Sequence, residues 1–454
     1  MTKNCPRVLI SATSSGSGKT TAVCAILTLL KRRGTAVASC KCGPDYIDPM
    51  FHKSVLGIGC TNLDPFFCGD DLLRYLLCEN AGRDFTVIEG VMGYYDGTGS
   101  GGVENSTYTV ARATTSTVIL VINARGASTS LLPVIEGFLN FQPDSNIKGV
   151  IFNQISPMTY ESLKKLMKAR FGNSVVPVGY IPKLPEDCIL GSRHLGLITA
   201  GEISDLNEKL NKIADLCESS IDIDALINIG RGAGEIQCAE VIVPKFDKIK
   251  IAVALDSAFC FYYKDTLRLF EKMGAEIVPF SPLKNEPVPA EADGLLLGGG
   301  YPELYAETLQ NNTVSASSVK NSVERGMPTI AECGGFQYLG EKLNGFSMCG
   351  VLSHESCNTG KLVRFGYVTL TPHMKNLLGP ARESLCAHEF HYYDSTDNGN
   401  TYTARKSNGK SWECVVSTDT LYAGYPHLYL YANLPSAEAY YKKCLEYKIK
   451  KEIR

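Results

Sequence analysis

The sequence predicts an α/β fold in two domains that follow each other along the chain. Its 454 residues exceed what one ordinary domain needs. Short apolar, β-branched runs alternate with segments of helical periodicity, and this alternation occurs twice. A more polar, glycine-containing stretch lies between the two series. We therefore expect residues 1–220 to form the first domain, 221–245 a linker and 246–454 the second domain.

In the first domain, buried strands are expected at successive short apolar runs of one parallel sheet. These runs are Arg7–Ala12, Thr35–Lys41, Phe85–Glu89, Thr117–Asn123, Gly149–Asn153 and Val175–Ile181. After the first run, Val23, Ile26, Leu27 and Leu30 recur at i, i+3, i+4 and i+7, which predicts a helix. Residues 204–219 predict a further helix just before the linker.

The second series begins with alternating apolar residues from Ile249 to Leu255. A helix is expected near Asp265–Met273, and strands are expected near Glu276–Phe280, Gly294–Leu297 and Thr329–Glu332. Both domains should therefore present ligand sites just beyond the carboxyl ends of their strands.

Composition excludes several functional classes. The chain has 45 Lys and Arg against 47 Asp and Glu, without charge blocks, so no nucleic-acid partner is expected. The apolar runs are too short to cross a bilayer, so no membrane partner is expected. The N-terminus has no export signal, and the 17 cysteines contain no C-x-x-C pair. These features predict buried thiols, without disulfides or zinc, in a reducing cytoplasm.

The segment Ser14–Thr21 lies between the first predicted strand and helix and resembles a phosphate-binding P-loop. Backbone N–H groups and the helix N-terminus would bind ATP phosphates, Lys19 would reach the β- and γ-phosphates, and Thr20 would ligate Mg²⁺. The candidate nucleotide-binding residues are Gly16, Ser17, Gly18, Lys19, Thr20 and Thr21. Thr13 replaces the first glycine of the full pattern, and Ser14 stands where dimerising partition-type ATPases carry a second lysine.

Acidic residues follow two further predicted strands. Asp45 and Glu89 are placed to hold Mg²⁺ together with Thr20, because Mg²⁺ prefers a few carboxylates plus phosphate oxygens. Lys41 could neutralise charge on a transferred phosphoryl group. Asp48 and Asp96 are candidate substrate-binding residues, with turn or helix-cap roles as the alternative.

Cys333 lies at a predicted strand–turn–helix junction and is the candidate nucleophile. The small residues Ala331, Gly334 and Gly335 allow the sharp turn that exposes such a side chain. Gly299 and Gly300 follow another strand, and their N–H groups could join that of Gly334 in an oxyanion hole.

A cysteine nucleophile needs a histidine base. The segment around Cys333 resembles class I glutamine amidotransferases, which place this base late in the domain, and Gly424–Tyr429 fits that placement, so the resemblance makes His427 the candidate. Many such proteins carry an orienting acid two residues after this histidine, but this chain has Tyr429 there, so the third triad member stays open. His388 and His391 form an H-x-x-H pattern, but the sequence offers no third zinc ligand.

Several multi-residue strings resemble the cobyrinic acid a,c-diamide synthase family. The strings are Gly43–Pro49, Asn62–Pro65, Glu89–Gly93, Ser192–Leu197 and Phe259–Tyr263. The resemblance implies a P-loop domain similar to dethiobiotin synthetase that activates a carboxylate, and a class I glutamine amidotransferase domain that supplies ammonia. It implies phosphate, metal and activation roles for Lys19, Thr20, Lys41, Asp45 and Glu89. It also implies that Tyr46 and Ile47 face the side chains of a tetrapyrrole substrate.

The expected reaction is amidation of the a and c carboxylates of cobyrinate, a step of cobalamin biosynthesis, through acyl phosphates. Its co-substrates are ATP, with Mg²⁺, and glutamine. One alternative keeps this chemistry but changes the tetrapyrrole, to nickel-sirohydrochlorin or hydrogenobyrinate. Another is a regulatory nucleotide switch with a degenerate amidotransferase domain. The order of amidation, the ammonia path and the number of subunits, a homodimer included, stay open.

Overall fold

The computed structural model describes residues 2–99, 101–189, 200–238 and 240–453, and the chain divides into units Met1–Val241 and Ile242–Arg454. The division lies within the stretch expected to be the linker, 221–245. That stretch also contains a helix and a strand of the first unit, because Ile223 and Leu226 are apolar residues that pack into its core.

Six described strands of the first unit follow the predicted apolar runs closely, and Thr2–Asn4, Cys60–Leu63 and Glu235–Gln237 are further strands that were not predicted. In chain order, the strands are β1 (Thr2–Asn4), β2 (Arg7–Ala12), β3 (Val37–Cys42), β4 (Cys60–Leu63), β5 (Phe85–Glu89), β6 (Thr117–Asn123), β7 (Ile147–Asn153), β8 (Val176–Ile181) and β9 (Glu235–Gln237). In the described part, β2 to β8 form a parallel sheet in the order β4-β3-β5-β2-β6-β7-β8, as expected, and β1 pairs with β9.

Helices connect these strands and cover the sheet. They are α1 (Lys19–Arg32), α2 (Ile47–Ser54), α3 (Asp70–Asn80), α4 (Thr107–Ala113), α5 (Leu131–Phe141), α6 (Pro157–Phe171), α7 (Ala200–Cys217) and α8 (Ile223–Arg231). Strand β2 lies between β5 and β6. Strands β3, β4 and β5 lie on one side of it, and β6, β7 and β8 lie on the other. This is the switch point of the sheet, where open α/β folds bind ligands.

The expectation that no cysteines pair is wrong. Cys78 in α3 and Cys238 after β9 form a disulfide, with their Cα atoms 6.2 Å apart. The two residues are 160 positions apart in sequence, so spacing gave no signal. They meet because β9 pairs with β1, and Lys3 of β1 donates from its Nζ to the carbonyl oxygen of Cys78.

The second unit begins with a βα alternation, continues in a series of mostly short strands and ends in a long helix. Its strands are β10 (Ile249–Ala254), β11 (Phe259–Phe261), β12 (Ala275–Phe280), β13 (Gly294–Leu297), β14 (Gly299–Gly300), β15 (Thr329–Glu332), β16 (Lys342–Leu343), β17 (Phe346–Ser347), β18 (Glu355–Asn358), β19 (Arg364–Pro372), β20 (Leu385–His391), β21 (Tyr393–Ser395), β22 (Tyr402–Arg405), β23 (Ser411–Cys414), β24 (Val416–Ser417), β25 (Leu421–Gly424) and β26 (His427–Leu428). Its helices are α9 (Lys264–Met273), α10 (Ala306–Asn311), α11 (Thr313–Glu324), α12 (Gly334–Leu339) and α13 (Leu434–Ile453).

The main sheet of this unit has the order β12-β10-β13-β15-β25-β24, with parallel pairing except between β24 and β25. Strand β15 lies inside this sheet, between β13 and β25. A second sheet, β23-β22-β19-β20-β26, is antiparallel. Among the described helices, none has both the length and the apolar composition of a membrane span.

Candidate functional site

The loop between β2 and α1 has the geometry of a phosphate cradle. Gly16 and Gly18 have φ angles of 76° and 95°, in the left-handed region that side chains disfavour. A Cβ on Gly18 would also lie 2.1 Å from Nδ2 of Asn153. That amide donates to the carbonyl oxygen of Ser17 at 2.9 Å. Asn153, at the end of β7, therefore supports the loop, a role that no sequence motif indicated.

Lys19 begins α1 and lies at the edge of this loop. Its Nζ donates to the carbonyl oxygen of Met92 at 2.6 Å. Burial and then the positive charge of Lys41 lower the pKa of Lys19 to about 8. An anion bound in the loop would raise this pKa again, because its negative charge would stabilise the protonated side chain of Lys19.

The carboxylate of Glu89, at the end of β5, contacts three polar side chains. The hydroxyl of Thr20 donates to its Oε1 at 2.7 Å, and Nζ of Lys41 lies 3.0 Å from the same oxygen. His52 Nε2 lies 3.5 Å from Oε2, while Nδ1 of the ring contacts the Ser39 hydroxyl at 2.9 Å. Thr20, Lys41 and Glu89, three of the predicted site residues, thus meet at the switch point.

Lys41 also forms an ion pair with Asp48, which is adjacent to Asp45 in space. Burial and the negative charge of Asp48 raise the pKa of Asp45 to about 7. Asp48 is buried too, but the positive charge of Lys41 outweighs that burial and lowers the pKa of its carboxyl. Asn62 supports this loop by donating to the carbonyl oxygen of Asp45 at 2.7 Å.

The donor set fits a magnesium ion that is shared with nucleotide phosphates. Thr20 offers a hydroxyl and Glu89 a carboxylate, and Oε2 of Glu89 is buried without a hydrogen bond from any described residue. Within the described residues, no three His, Cys, Asp or Glu side chains form a ready-made metal cage. Such a site suits Mg²⁺, which keeps waters and phosphate oxygens among its ligands.

The remaining predicted substrate residues lie around this site with different surroundings. Tyr46 and Ile47 are half-buried at the start of α2, and the Ile47 N–H donates to Oδ1 of Asp45 at 2.8 Å. Asp96 is exposed and accepts from the Gly93 N–H at 2.8 Å, which closes a turn. The family string Ser192–Leu197 lies outside the described residues.

In the second unit, Cys333 occupies a sharp turn between β15 and α12. Its φ and ψ are 48° and −100°, a strained conformation for a residue with a side chain. Hydrogen bonds fix the turn at both ends. The Cys333 N–H donates to the carbonyl oxygen of Gly424 at 2.8 Å, and the carbonyl oxygen of Cys333 accepts from the N–H of Gln337 at 3.0 Å. This is the geometry of a nucleophile elbow.

Glycines bring the neighbouring loop close to this elbow. A Cβ on Gly334 would lie 3.2 Å from the backbone nitrogen of Gly300. A Cβ on Gly300 would lie 2.2 Å from the carbonyl oxygen of Ala258, and one on Gly299 would lie 2.5 Å from Cε1 of His427. Gly300 and Gly334 thus meet beside Cys333, whereas Gly299 makes room for the histidine ring.

His427 lies against Cys333, as the sequence predicts, and it also contacts an acid that the sequence analysis missed. Its Nδ1 lies 3.5 Å from Oε2 of Glu332. Burial lowers the pKa of His427, but the interactions with Cys333 and Glu332 outweigh burial and raise that pKa to about 10. The arrangement favours a protonated imidazole beside the sulfur of Cys333, which is the pairing that activates cysteine nucleophiles.

The H-x-x-H pattern lies close to His427 but does not form a two-histidine ligand pair. His388 pairs with His427 across β20 and β26. His391 is three residues further along β20, so the two side chains point to opposite faces of the sheet.

Comparison with known proteins gives matches in both units. Residues 8–198 match the CobQ/CobB/MinD/ParA nucleotide binding domain, and residues 250–434 match the CobB/CobQ-like glutamine amidotransferase domain. Among solved structures, PurLQS from Thermotoga maritima is similar over 44% of this chain and 99% of its own chain. The sequence identity is 16% and the TM-score is 0.32. That TM-score is too low to support an argument.

Curated relatives match along almost the whole chain. A cobyrinate a,c-diamide synthase of Listeria innocua is 38% identical over 94% of this chain and 97% of its own length. Proteins with the same name from Clostridium acetobutylicum and Thermoplasma volcanium are 38% and 34% identical, over 94% and 99% of this chain. They cover 98% and 99% of their own lengths, so the similarity includes both units.

Proposed function

Because the chain belongs to the cobyrinate a,c-diamide synthase family, we propose that it uses ATP and glutamine to amidate the a and c carboxylates of cobyrinate in cobalamin biosynthesis. It is a glutamine-dependent amidating ligase with a nucleotide-binding domain and an amidotransferase domain. The observation that carries the proposal is the presence, in one chain, of a phosphate loop beside Glu89 and a nucleophile elbow beside His427.

ATP binds with its phosphates over the loop Gly16–Thr21. Backbone N–H groups and the N-terminus of α1 face the phosphate oxygens, and Lys19 exchanges the Met92 carbonyl for the β- and γ-phosphates. Thr20, Glu89 and Asp45 would hold the Mg²⁺ ion, which when bound offsets phosphate charge and orients the γ-phosphoryl group. Lys41, held between Glu89 and Asp48, supplies a further positive charge for the transferred group.

ATP is used to make the substrate carboxylate electrophilic. A carboxylate oxygen attacks the γ-phosphorus, ADP leaves, and an acyl phosphate forms. Ammonia then attacks the acyl carbon, and phosphate leaves with the former carboxylate oxygen. The same sequence occurs at the c and a side chains, with Tyr46, Ile47, Asp48 and Asp96 at the rim where the substrate would lie.

Ammonia comes from glutamine in the second unit. The Cys333 thiolate attacks the side-chain carbonyl carbon, and the N–H groups of Gly299, Gly300 and Gly334 stabilise the developing oxyanion. His427 protonates the departing ammonia, and the thioester is then hydrolysed by a water that His427 deprotonates. Glutamate leaves and the thiolate is restored.

Asn153 offers a separate test of the phosphate loop. Replacing it by Asp removes the N–H that donates to Ser17 and directs a carboxylate at a carbonyl oxygen. Because a net hydrogen bond is worth about 1 kcal/mol and the new repulsion adds to its loss, we expect the Kd for MgATP to rise about 10-fold or more. Isothermal titration calorimetry measures this change.

The matched control is Asn146→Asp. The side-chain amide of Asn146 also donates to a backbone carbonyl oxygen, that of Ser116, at 2.6 Å. Asn146 lies just before the start of β7, whereas Asn153 lies at the end of that strand beside the phosphate loop. We expect this variant to keep the native Kd. Equal weakening of ATP binding by both variants would contradict the assigned role of Asn153.

The direct test of the function is an assay with purified protein, MgATP, glutamine and one tetrapyrrole at a time. We expect cobyrinate to give the diamide by mass spectrometry, with a higher kcat/KM than hydrogenobyrinate or nickel-sirohydrochlorin. A preference for either alternative would assign that tetrapyrrole as the substrate. Nucleotide binding without amidation of any tetrapyrrole would favour a regulatory switch and contradict the proposal.

A further inference from the structure

Glu332 immediately precedes the nucleophile and is held in place at both of its carboxylate oxygens. Oε1 accepts from the backbone N–H of Leu428 at 3.0 Å. Oε2 lies 3.5 Å from Nδ1 of His427. The carboxylate therefore contacts two consecutive residues of β26, one through the backbone and one through the imidazole ring.

The sheet explains why this acid can reach the histidine. Glu332 is the last residue of β15 and pairs with Gly424 of the parallel strand β25. The chain continues from Gly424 into β26 within a few residues, so His427 lies beside the end of β15. The turn at Cys333 also places its side chain next to the imidazole ring of His427.

The position two residues after His427 carries no acid. Tyr429 stands there, and its hydroxyl lies 3.5 Å from Oδ2 of Asp265. The contact that class I enzymes make with an acid after the histidine is thus made in this chain by an acid before the cysteine.

Other charged groups near His427 come from β20. Burial lowers the pKa of His388 to about 3 and that of His391 to about 4, so both rings are neutral. Burial raises the pKa of Glu389 to about 7, and its Oε2 lies 3.8 Å from Nε of Arg364. Glu389 thus has a cation of its own and interacts with His427 only as a weaker, more distant charge, whereas Oε2 of Glu332 lies 3.5 Å from Nδ1 of the imidazole.

We propose that Glu332 is the positioning residue of the glutaminase site, which orients His427 through Nδ1 and stabilises its protonated form against Cys333. This inference deepens the proposed function and rests on it. The 3.5 Å separation agrees with the long contacts that hydrolytic sites show before substrate binds.

The test replaces Glu332 by Gln, which keeps an oxygen for the Leu428 N–H but removes the negative charge. Glutaminase kcat/KM is expected to fall about 10²-fold. Glutaminase kcat/KM of the native chain and of each variant is also measured against pH. Loss of the carboxylate makes the imidazolium less stable, so we expect the basic limb of this profile, where His427 loses its proton, to move downwards by about one pH unit.

A purely structural role would lower the melting temperature and leave the basic limb in place. Glu332→Asp keeps the charge, so we expect it to restore most of the native profile. Glu389→Gln is the comparison variant, because it removes a neighbouring buried carboxylate that pairs with Arg364.

Two results would overturn the inference: a native basic limb in Glu332→Gln, or an equal shift in Glu389→Gln. Both are read without a tetrapyrrole, so they are distinct from failure of the amidation assay. A native chain that releases no ammonia from glutamine would overturn the proposed function itself.

Discussion

Replacing Cys333 by Ala should abolish glutamine-supported amidation while amidation with added ammonium salt continues at the native rate. Cys333 is proposed only to release ammonia, so free ammonia bypasses its loss. Removing the nucleophile of a covalent mechanism leaves no route to the thioester, and we expect the glutamine-dependent rate to fall by about 10⁴-fold. The measurement is diamide formation with each nitrogen source under the same conditions.

Cys357→Ala is the matched control. Cys357 is an exposed cysteine in β18 of the same unit, so its loss removes a thiol without touching the elbow. We expect native rates with both nitrogen sources. If a folded Cys333→Ala chain lost activity with ammonium salt as well, separate sites for ammonia release and carboxylate activation would be refuted.

Replacing Lys19 by Ala should stop synthesis with either nitrogen source. The ammonium of Lys19 lies at the edge of the loop and is the group expected to contact the β- and γ-phosphates. Phosphoryl transfer depends almost wholly on positioning and charge, so we expect a loss of about 10³-fold in the ammonia-dependent rate.

The second unit should be unaffected in Lys19→Ala, and a glutamine-mimicking alkylator should still react with Cys333. Lys53→Ala, an exposed lysine of α2, should keep full synthesis. Robust ammonia-dependent turnover by Lys19→Ala would show that the phosphates bind elsewhere.

Much of the fold could be predicted because buried parallel strands are short apolar runs. Phe85–Glu89 and Thr117–Asn123 agree with β5 and β6 at both ends, and Gly294–Leu297 and Thr329–Glu332 agree with β13 and β15. The sheets that follow Cys333 were not predicted. Most of their strands have four residues or fewer, and β16 and β17 have only two residues each, which is too few to show a periodicity.

Candidate site residues could be named from the sequence where a local motif marks them, as for Lys19, Thr20 and Cys333, and their roles stay predictions. Asn153, Glu332 and the Cys78–Cys238 disulfide depend on contacts between distant segments. The contact of Glu332 with His427 could not be predicted, because it depends on the pairing of β15 with β25.

The central claim is that ATP phosphorylates the substrate carboxylate. The most direct measurement uses cobyrinate whose a and c carboxylates carry ¹⁸O, with mass analysis of the phosphate released during amidation. An acyl phosphate transfers a carboxylate oxygen to phosphate, so the account predicts one labelled oxygen in phosphate for each amide formed. Phosphate without label, with the departing carboxylate oxygen found in water instead, would contradict it, and ATP hydrolysis would then serve only to drive a conformational change.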